Sequence, residues 1–387
     1  MLPEQLSSAL AELDAQGLSR RRLVLASPQG PRVRVDGREY LSFASNDYLG
    51  LAAHPAIAEA VGRAVATAGV GAGAAHLLTG HHHLHHALEA VLADFVGLPS
   101  ALLFSTGYMA NLGVLTALLD RHGEIFADRL NHASLLDGAR LGRARLSRYP
   151  HLDLVCLERR LAASRAGVKL IATDTVFSMD GDLAPVPQLL ELAERFDAWL
   201  YLDDAHGFGV LGEQGGGVLR HFPHLTGHPR LIYMATLGKA IGVAGAFVAG
   251  SPELIHWLVN KARGYLYTTA QPPLLAAAVL ASLELVAGEP WRRQRLAVLI
   301  QRLKAGVAPL PWPLMPSRTP IQPLLAGSNA QALCLAEGLK ERGILIPAIR
   351  PPTVPQGTAR LRVSLSAAHT PSDVDTLLGA LLELALA

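Results

Sequence analysis

A primary amine is the scarcest reactive group in this 387-residue chain: lysine occurs only at positions 169, 239, 261, 304 and 340, and arginine supplies the rest of the positive charge. Four of these have ordinary settings. Lys169 opens an apolar run, Lys261 and Lys304 stand near other charges, and Lys340 lies in the charged stretch KERG. Lys239 differs, because LIYMATLGKAIGVAGAFVAG holds no other charged residue between Arg230 and Glu253. Desolvation lowers an amine's pKa and prepares it to attack an aldehyde.

Three further stretches carry reactive groups directly after apolar runs. In AWLYLDDAHGFG, five residues lead to Asp203, Asp204 and His206. A carboxylate at the edge of a buried sheet needs a partner; Asp203 either caps the next turn or holds a cationic ring nitrogen, with His206 bonding a neighbouring oxygen. ALLFSTGYMANLG reads as strand, turn and helix, and the free N–H groups and dipole of the helix start favour a phosphate at Gly107 and Tyr108. VKLIATDTVFSMDGDLAP leads to Asp174, Ser178, Asp180 and Asp182, which alone is an ordinary polar loop. Together these are a phosphate cradle, a carboxylate for a pyridinium, a hydroxyl and imidazole for a phenolic oxygen, and an aldehyde-capturing lysine. Pyridoxal 5'-phosphate asks for all of them.

The elements that must position these groups follow from the pattern. From His54 onward, helix-like stretches alternate with the apolar runs SALLF, EIFA, LVCL, VKLIATD, AWLYLDD, LIYMAT and GAFVAG. This alternation predicts an α/β fold with a mostly parallel sheet covered on both faces. The division expected is an N-terminal arm over 1–53, with a helical start and a strand pair turning at Asp36-Gly37; a large cofactor-binding unit over 54–288; and a smaller α+β unit over 289–387. The last contains the amphipathic WRRQRLAVLIQRLKAGV, a proline-rich crossing, two strand-like runs (IQPLLAG and ARLRVSLS) and a helix pair.

Long motifs in a fixed order extend over nearly the whole chain: SNDYLGL, ADRLNHASLLDGARL, VFSMDGDLAP, DDAHGFGVLGEQGGG, TLGKAIGVAGAF and AIRPPTVPQGTARLRVSLSAAHT. In these the chain resembles the α-oxoamine synthases, pyridoxal-phosphate enzymes of the aspartate-aminotransferase fold (type I) that condense an amino acid with an acyl thioester. The resemblance implies that Lys239 binds the cofactor aldehyde and that Asp203 pairs with the ring nitrogen. His132 stacks on the ring, His206 and Ser178 address the phenolic-oxygen side, and Gly107, Tyr108 and Thr236 hold the phosphate. Thr268 or Thr269 reaches the phosphate site of a second subunit, the family's sites lying at a homodimer interface. Arg20, Thr353 and Arg362 match substrate-contacting positions, Arg362 for the substrate carboxylate with Arg360 as the alternative, and His132 faces substrate as well as cofactor. The IRPPTVPQGTARLR stretch has the form found in family members that join L-alanine to a pimeloyl thioester, carried on coenzyme A or acyl carrier protein; glycine- and serine-using relatives are the alternative.

Other readings are excluded or set aside. With 34 basic and 32 acidic residues and no basic run longer than Arg20-Arg21-Arg22, nothing is built to neutralise a nucleic acid. Two cysteines make no disulfide framework. Pro272 to Gly288 reads as a buried helix, not a membrane span, and MLPEQLSSALAELDAQG lacks the features of a signal peptide, so a cytoplasmic setting is expected. In GVGAGAAHLLTGHHHLHHALE, where the family usually has serines and often an arginine, the pairs His81/His85 and His82/His86 have i,i+4 spacing on an expected helix. No Glu stands in the HExxH arrangement, so the stretch is read as a surface cluster without a functional metal.

Overall fold

The computed structural model describes residues 2–16, 18, 19 and 22–386. A seven-stranded sheet runs through the middle of the chain. In spatial order its strands are Ser100–Phe104, Ala246–Gly250, Leu231–Thr236, Ala198–Asp203, Val168–Asp174, Gly123–Asp128 and Arg145–Tyr149. Ala246–Gly250 is antiparallel to both its neighbours, and the remaining pairs are parallel. Successive residues enter opposite cores: Leu200 and Leu202 pack on one face and Tyr201 on the other, and Ile171 is likewise split from Leu170 and Ala172. Both faces are therefore apolar, which is why these strands read as unbroken runs.

Two expectations change. LVCL is not a strand; it opens the helix Leu154–Ala163, where the Asp153 carboxylate accepts the Cys156 N–H at 2.8 Å and Leu157 and Leu161 face the core at helical spacing. The strand on that side is Arg145–Tyr149, missed because an edge strand alternates, with Arg145 and Arg148 exposed and Ser147 and Tyr149 buried. In the histidine-rich stretch the helix begins only at His83, so His81 and His82 precede it and the i,i+4 pairs do not share its face.

Helix Pro3–Ala15 precedes the hairpin Arg32–Val35 and Arg38–Ser42, which turns at Asp36 (φ 49°) and Gly37 (φ 78°). The second hairpin strand then pairs in parallel with Ile344–Leu345. A third sheet is formed by Ile321–Gly327, Ala359–Ser364 and Ala348–Ile349. The link between the hairpin and Ala359–Ser364 continues through loop 43–48, where Phe43 C=O accepts from Ser364 N–H (2.8 Å) and Tyr48 C=O from Ala367 N–H (2.7 Å). Among the described residues no single helix is long and apolar enough to cross a membrane; Pro273–Gly288 and Trp291–Val307 reach that measure only as a pair bent by 67°. Their Leu283, Val286, Leu296 and Leu299 lie in the core.

Candidate active site

The carboxyl ends of Val168–Asp174, Ala198–Asp203 and Leu231–Thr236 meet the N-terminus of helix Gly107–Leu118 around a cavity of about 200 Å³. Crevices of this kind form where parallel strands end. Lys239, Asp203, His206, His132, Ser178, Gly107, Tyr108 and Thr236 all line it, although they are spread over 133 positions (107 to 239). Thr106 caps the helix by accepting the Met109 N–H at 3.1 Å, so the first helical N–H groups, at Gly107 and Tyr108, have no carbonyl partner within the helix.

One wall is a relay of polar groups. Lys239 Nζ is 2.9 Å from His206 Nε2, and His206 Nδ1 is 2.7 Å from the Tyr48 hydroxyl. Arg362 Nη2 donates to that hydroxyl at 3.3 Å. Burial lowers the Lys239 pKa to about 8, against the pull of Asp203, so a useful fraction of the amine is neutral near physiological pH. Burial also holds His206 well below its ordinary value and raises that of Tyr48, so the imidazole is neutral and the phenol keeps its proton.

The floor is built around Asp203, which is buried. Its Oδ2 accepts from Asn111 Nδ2 at 2.8 Å and its Oδ1 from Ala205 N–H at 3.1 Å. Asn111 is fixed in turn, accepting from the Tyr201 hydroxyl at 2.6 Å and donating to Ser134 Oγ at 2.7 Å. Ser134 Oγ also meets His132 Nδ1 at 2.7 Å, and the His132 N–H donates to Asp174 at 2.8 Å. Asp174 and Asp203 are register partners on adjacent strands. Burial raises the pKa of both, and the charge of Asp203 adds to the cost of ionising Asp174, so a cation at the floor is favoured.

The remaining expected residues lie elsewhere. Arg362 adjoins the cavity: Nε donates to the Ser178 carbonyl (2.6 Å) and Nη1 to Asn46 Oδ1 (3.1 Å) and Ser364 Oγ (2.7 Å). It has no carboxylate within 4 Å among the described residues. Arg360 is instead paired with Asp180 at 2.6 Å and is 2% exposed. Thr268 and Thr269 are outside this chain's cavity, the latter exposed and bridged to Ala75. Thr353 is also exposed. Arg20 lies outside the described residues. Sequence reasoning passed over Asn111, Ser134, Asn46 and Tyr48 as individual groups. Asn111 had a signal, standing one helical turn after Gly107 on the face toward the strand ends; Tyr48 and Asn46 sat inside the quoted SNDYLGL with nothing to connect them to Lys239.

Comparison with known proteins places this architecture. The pattern of the class I and II aminotransferases matches residues 38–381. The chain is 60% identical over 381 residues to the 8-amino-7-oxononanoate synthase of Nitrosomonas europaea, covering 98% of each chain. Among solved structures it is similar to serine palmitoyltransferase from Sphingomonas wittichii (TM-score 0.91, 29% identity, covering 98% of this chain and 96% of that one). It is also similar to the 8-amino-7-oxononanoate synthase of Francisella tularensis (TM-score 0.78, 30% identity, covering 89% and 97%). The chain belongs to the class I and II aminotransferase family and, within it, groups with the 8-amino-7-oxononanoate synthases. It is a pyridoxal-phosphate-dependent acyltransferase with the type I α/β fold. The donor set fits that cofactor: a desolvated amine for the aldehyde, a buried carboxylate for the ring nitrogen, and a helix N-terminus with a hydroxyl for the phosphate.

Proposed function

We propose that the protein catalyses the decarboxylative condensation of L-alanine with a pimeloyl thioester, forming the new C–C bond of 8-amino-7-oxononanoate for biotin biosynthesis as the C–S bond breaks and the free carrier thiol and carbon dioxide leave. The observation that carries this reading is the run Lys239–His206–Tyr48–Arg362, which joins a desolvated amine to an arginine that has no carboxylate partner among the described residues. The 56–60% identity to curated synthases of that reaction supports the choice within the family.

Each residue then has a task. Gly107 and Tyr108 N–H groups and the Thr236 hydroxyl hold the phosphate, Asp203 holds the ring nitrogen, and His132 and Ser178 bound the ring. When bound, pyridoxal phosphate supplies an electron sink that acidifies the amino acid's α-carbon and later takes up the electrons left by the departing carboxylate. Arg362 receives the alanine carboxylate, a bidentate partner for its guanidinium. The Lys239 amine, kept partly neutral by burial, takes the α-proton to become an ammonium and later returns a proton to the product, with His206 and Tyr48 keeping Nζ aligned between the two transfers. Burial raises the pKa of Asp203, which Asn111 fixes in place, and a cation facing it favours its anionic form.

We further propose the division 1–53, 54–288 and 289–387 for arm, large and small units, the 67° bend between Pro273–Gly288 and Trp291–Val307 supporting the second boundary. A cytoplasmic homodimer is part of the same reading: Thr268 and Thr269 stand away from this chain's own cavity, where they could serve a second subunit's phosphate, and Arg20 and Thr353 are assigned to substrate. The test is turnover of L-alanine, glycine and L-serine, each with pimeloyl-coenzyme A and pimeloyl-acyl carrier protein. Alanine with a pimeloyl carrier is expected to exceed the other amino acids by at least about tenfold in kcat/KM, the discrimination one methyl or hydroxyl group yields; a preference for glycine or serine overturns the substrate assignment.

A further inference from the structure

We propose that His81, His86 and Glu89 form a binding site for a divalent transition-metal ion of the zinc class, with His76 orienting His81. The fold brings these groups together in a way the spacing of the histidines does not reveal. His82 ends the turn before helix His83–Val96, and His86 and Glu89, three residues apart on the helix, project from one face toward His81 just before it. One ligand atom from each of His81, His86 and Glu89 lies within 4.8 Å of the others, and His81 Nε2 is 3.9 Å from Glu89 Oε2. Bonds of about 2.0–2.2 Å place the donor atoms of a tetrahedral ion roughly 3.3–3.6 Å apart, so small side-chain rotations close the set. The three edge a cavity of about 640 Å³, separate from the one containing Lys239, with room for the ion and a water at its open position.

Three observations point to a cation there. Glu89 is largely buried, with Oε1 accepting the Leu103 N–H at 3.0 Å, and among the described residues no lysine or arginine lies within 4 Å of it. A carboxylate drawn out of water in this way needs a partner of opposite charge. His81 is already oriented: its Nδ1 lies 3.0 Å from His76 Nδ1, and when His81 donates there its lone pair is left on Nε2, facing Glu89. An acceptor on the second ring nitrogen is how metal-binding histidines are generally held. His76 in turn is stacked on Tyr265, with centroids 4.9 Å apart and rings 10° from parallel. The turn that presents it folds so tightly that a Cβ on Gly80 would collide with the Ala74 carbonyl. His85, though close, is not a ligand: its Nδ1 accepts the His82 N–H at 3.1 Å, so its proton is on Nε2. Two imidazoles and a carboxylate are a zinc-type donor set with a position left for water.

The test is titration of chelator-treated, tag-free holoenzyme with Zn²⁺ by calorimetry and with Co²⁺ by visible absorption. Expected are one ion per chain and the intense cobalt bands of four-coordination. His86→Ala and Glu89→Gln should each weaken binding by about 100-fold, and His76→Phe, which keeps the stack on Tyr265, by about 10-fold. His224→Ala, at an exposed histidine remote in sequence, should leave it unchanged. Absence of stoichiometric binding, or binding that His86→Ala leaves intact, overturns the proposal and assigns any uptake to adventitious surface histidines. Because His86 is exposed, that variant decides the question even where Glu89→Gln does not fold.

Discussion

Asp203 and Asp204 are neighbours on one strand end, yet they face different worlds. Asp204 is fully engaged: it accepts from Thr175, from the Tyr233 hydroxyl at 2.7 Å and from the Val218 N–H at 2.7 Å, and a Cβ on Gly217 (φ +79°) would strike it. Asp203 accepts two bonds and opens onto the cavity. Arg360 and Arg362 repeat the contrast on the strand Ala359–Ser364. Arg360 is closed off by Asp180, whereas Arg362 is held by neutral acceptors that leave its charge uncompensated. Alternation along a strand sends adjacent residues to opposite sides, but the pair at 360 and 362 share a side and differ only in partners. A charged group with a saturated shell is structural. One that is fixed but unneutralised is waiting for a ligand.

The largest effect that could break this contrast is at the group facing both. Lys239→Ala should cut turnover by about 10⁴-fold, since one amine both captures the cofactor and moves the α-proton. The folded variant should bind cofactor without the near-visible absorption of its lysine-bound form. Full activity would remove Lys239 from the chemistry. Next, Asp203→Asn should lower kcat by about 10²–10³-fold with little loss of stability, because it removes a preorganised charge from the site and not from the core. Asp204→Asn should do the reverse, costing about 1–3 kcal/mol in denaturant unfolding with kcat of the folded fraction within a few-fold of the parent. Equal effects in the two variants would erase the distinction.

The arginine pair sharpens it. Arg362→Ala should raise KM for the amino acid by about 10–100-fold, the worth of charged hydrogen bonds at roughly 1.5–3 kcal/mol. Arg360→Ala strands the partly buried Asp180 and should cost about 3 kcal/mol of stability while leaving KM nearly unchanged. Steady-state kinetics beside urea melts separate the two. If Arg360→Ala moves KM instead, the carboxylate anchor has been assigned to the wrong arginine.

How much of this was legible in sequence follows from how local each signal is. The parallel sheet was readable because strands covered on both faces are apolar at every position, as in AWLYL; the edge strand Arg145–Tyr149 was not, since half its side chains meet water. Lys239 could be picked from its uncharged surroundings alone. Asn111 had a positional hint one turn after Gly107, but its partner Asp203 is 92 positions away, and Ser134 and Tyr48 act through contacts across 23 and 158 positions that no spacing rule connects. The grouping of His81, His86 and Glu89 was not legible for a related reason. His81 and Glu89 meet only because the helix begins at His83, two residues later than the i,i+4 pattern requires.

The smallest effect concerns His151, which lies on the saturated side between Asp128 at 3.0 Å and Asp182 at 2.8 Å. Burial pulls its pKa down, but hydrogen bonds to Asp128 and Asp182 outweigh it and carry the value up to about 10 from an ordinary 6.5. A folded pKa above the unfolded one means the native state holds the extra proton. The stabilisation is therefore complete below pH 6.5 and is lost as pH rises toward 10. Lys239 in the unliganded protein works the other way, its lowered value of about 8 making stability rise with pH between 8 and 10.5. The wild-type curve mixes the two, so the informative quantity is the difference between the parent and His151→Gln, measured by urea unfolding of the holoenzyme at pH 6.5, 8 and 9.5. That difference should shrink steadily with pH, and because the ring is only half-buried the whole change should be smaller than the cost of Arg360→Ala. A difference that stays constant over the window would mean His151 contributes packing against Phe177 and not charge, and that the saturated side is held together by its hydrogen bonds without needing a proton on the imidazole.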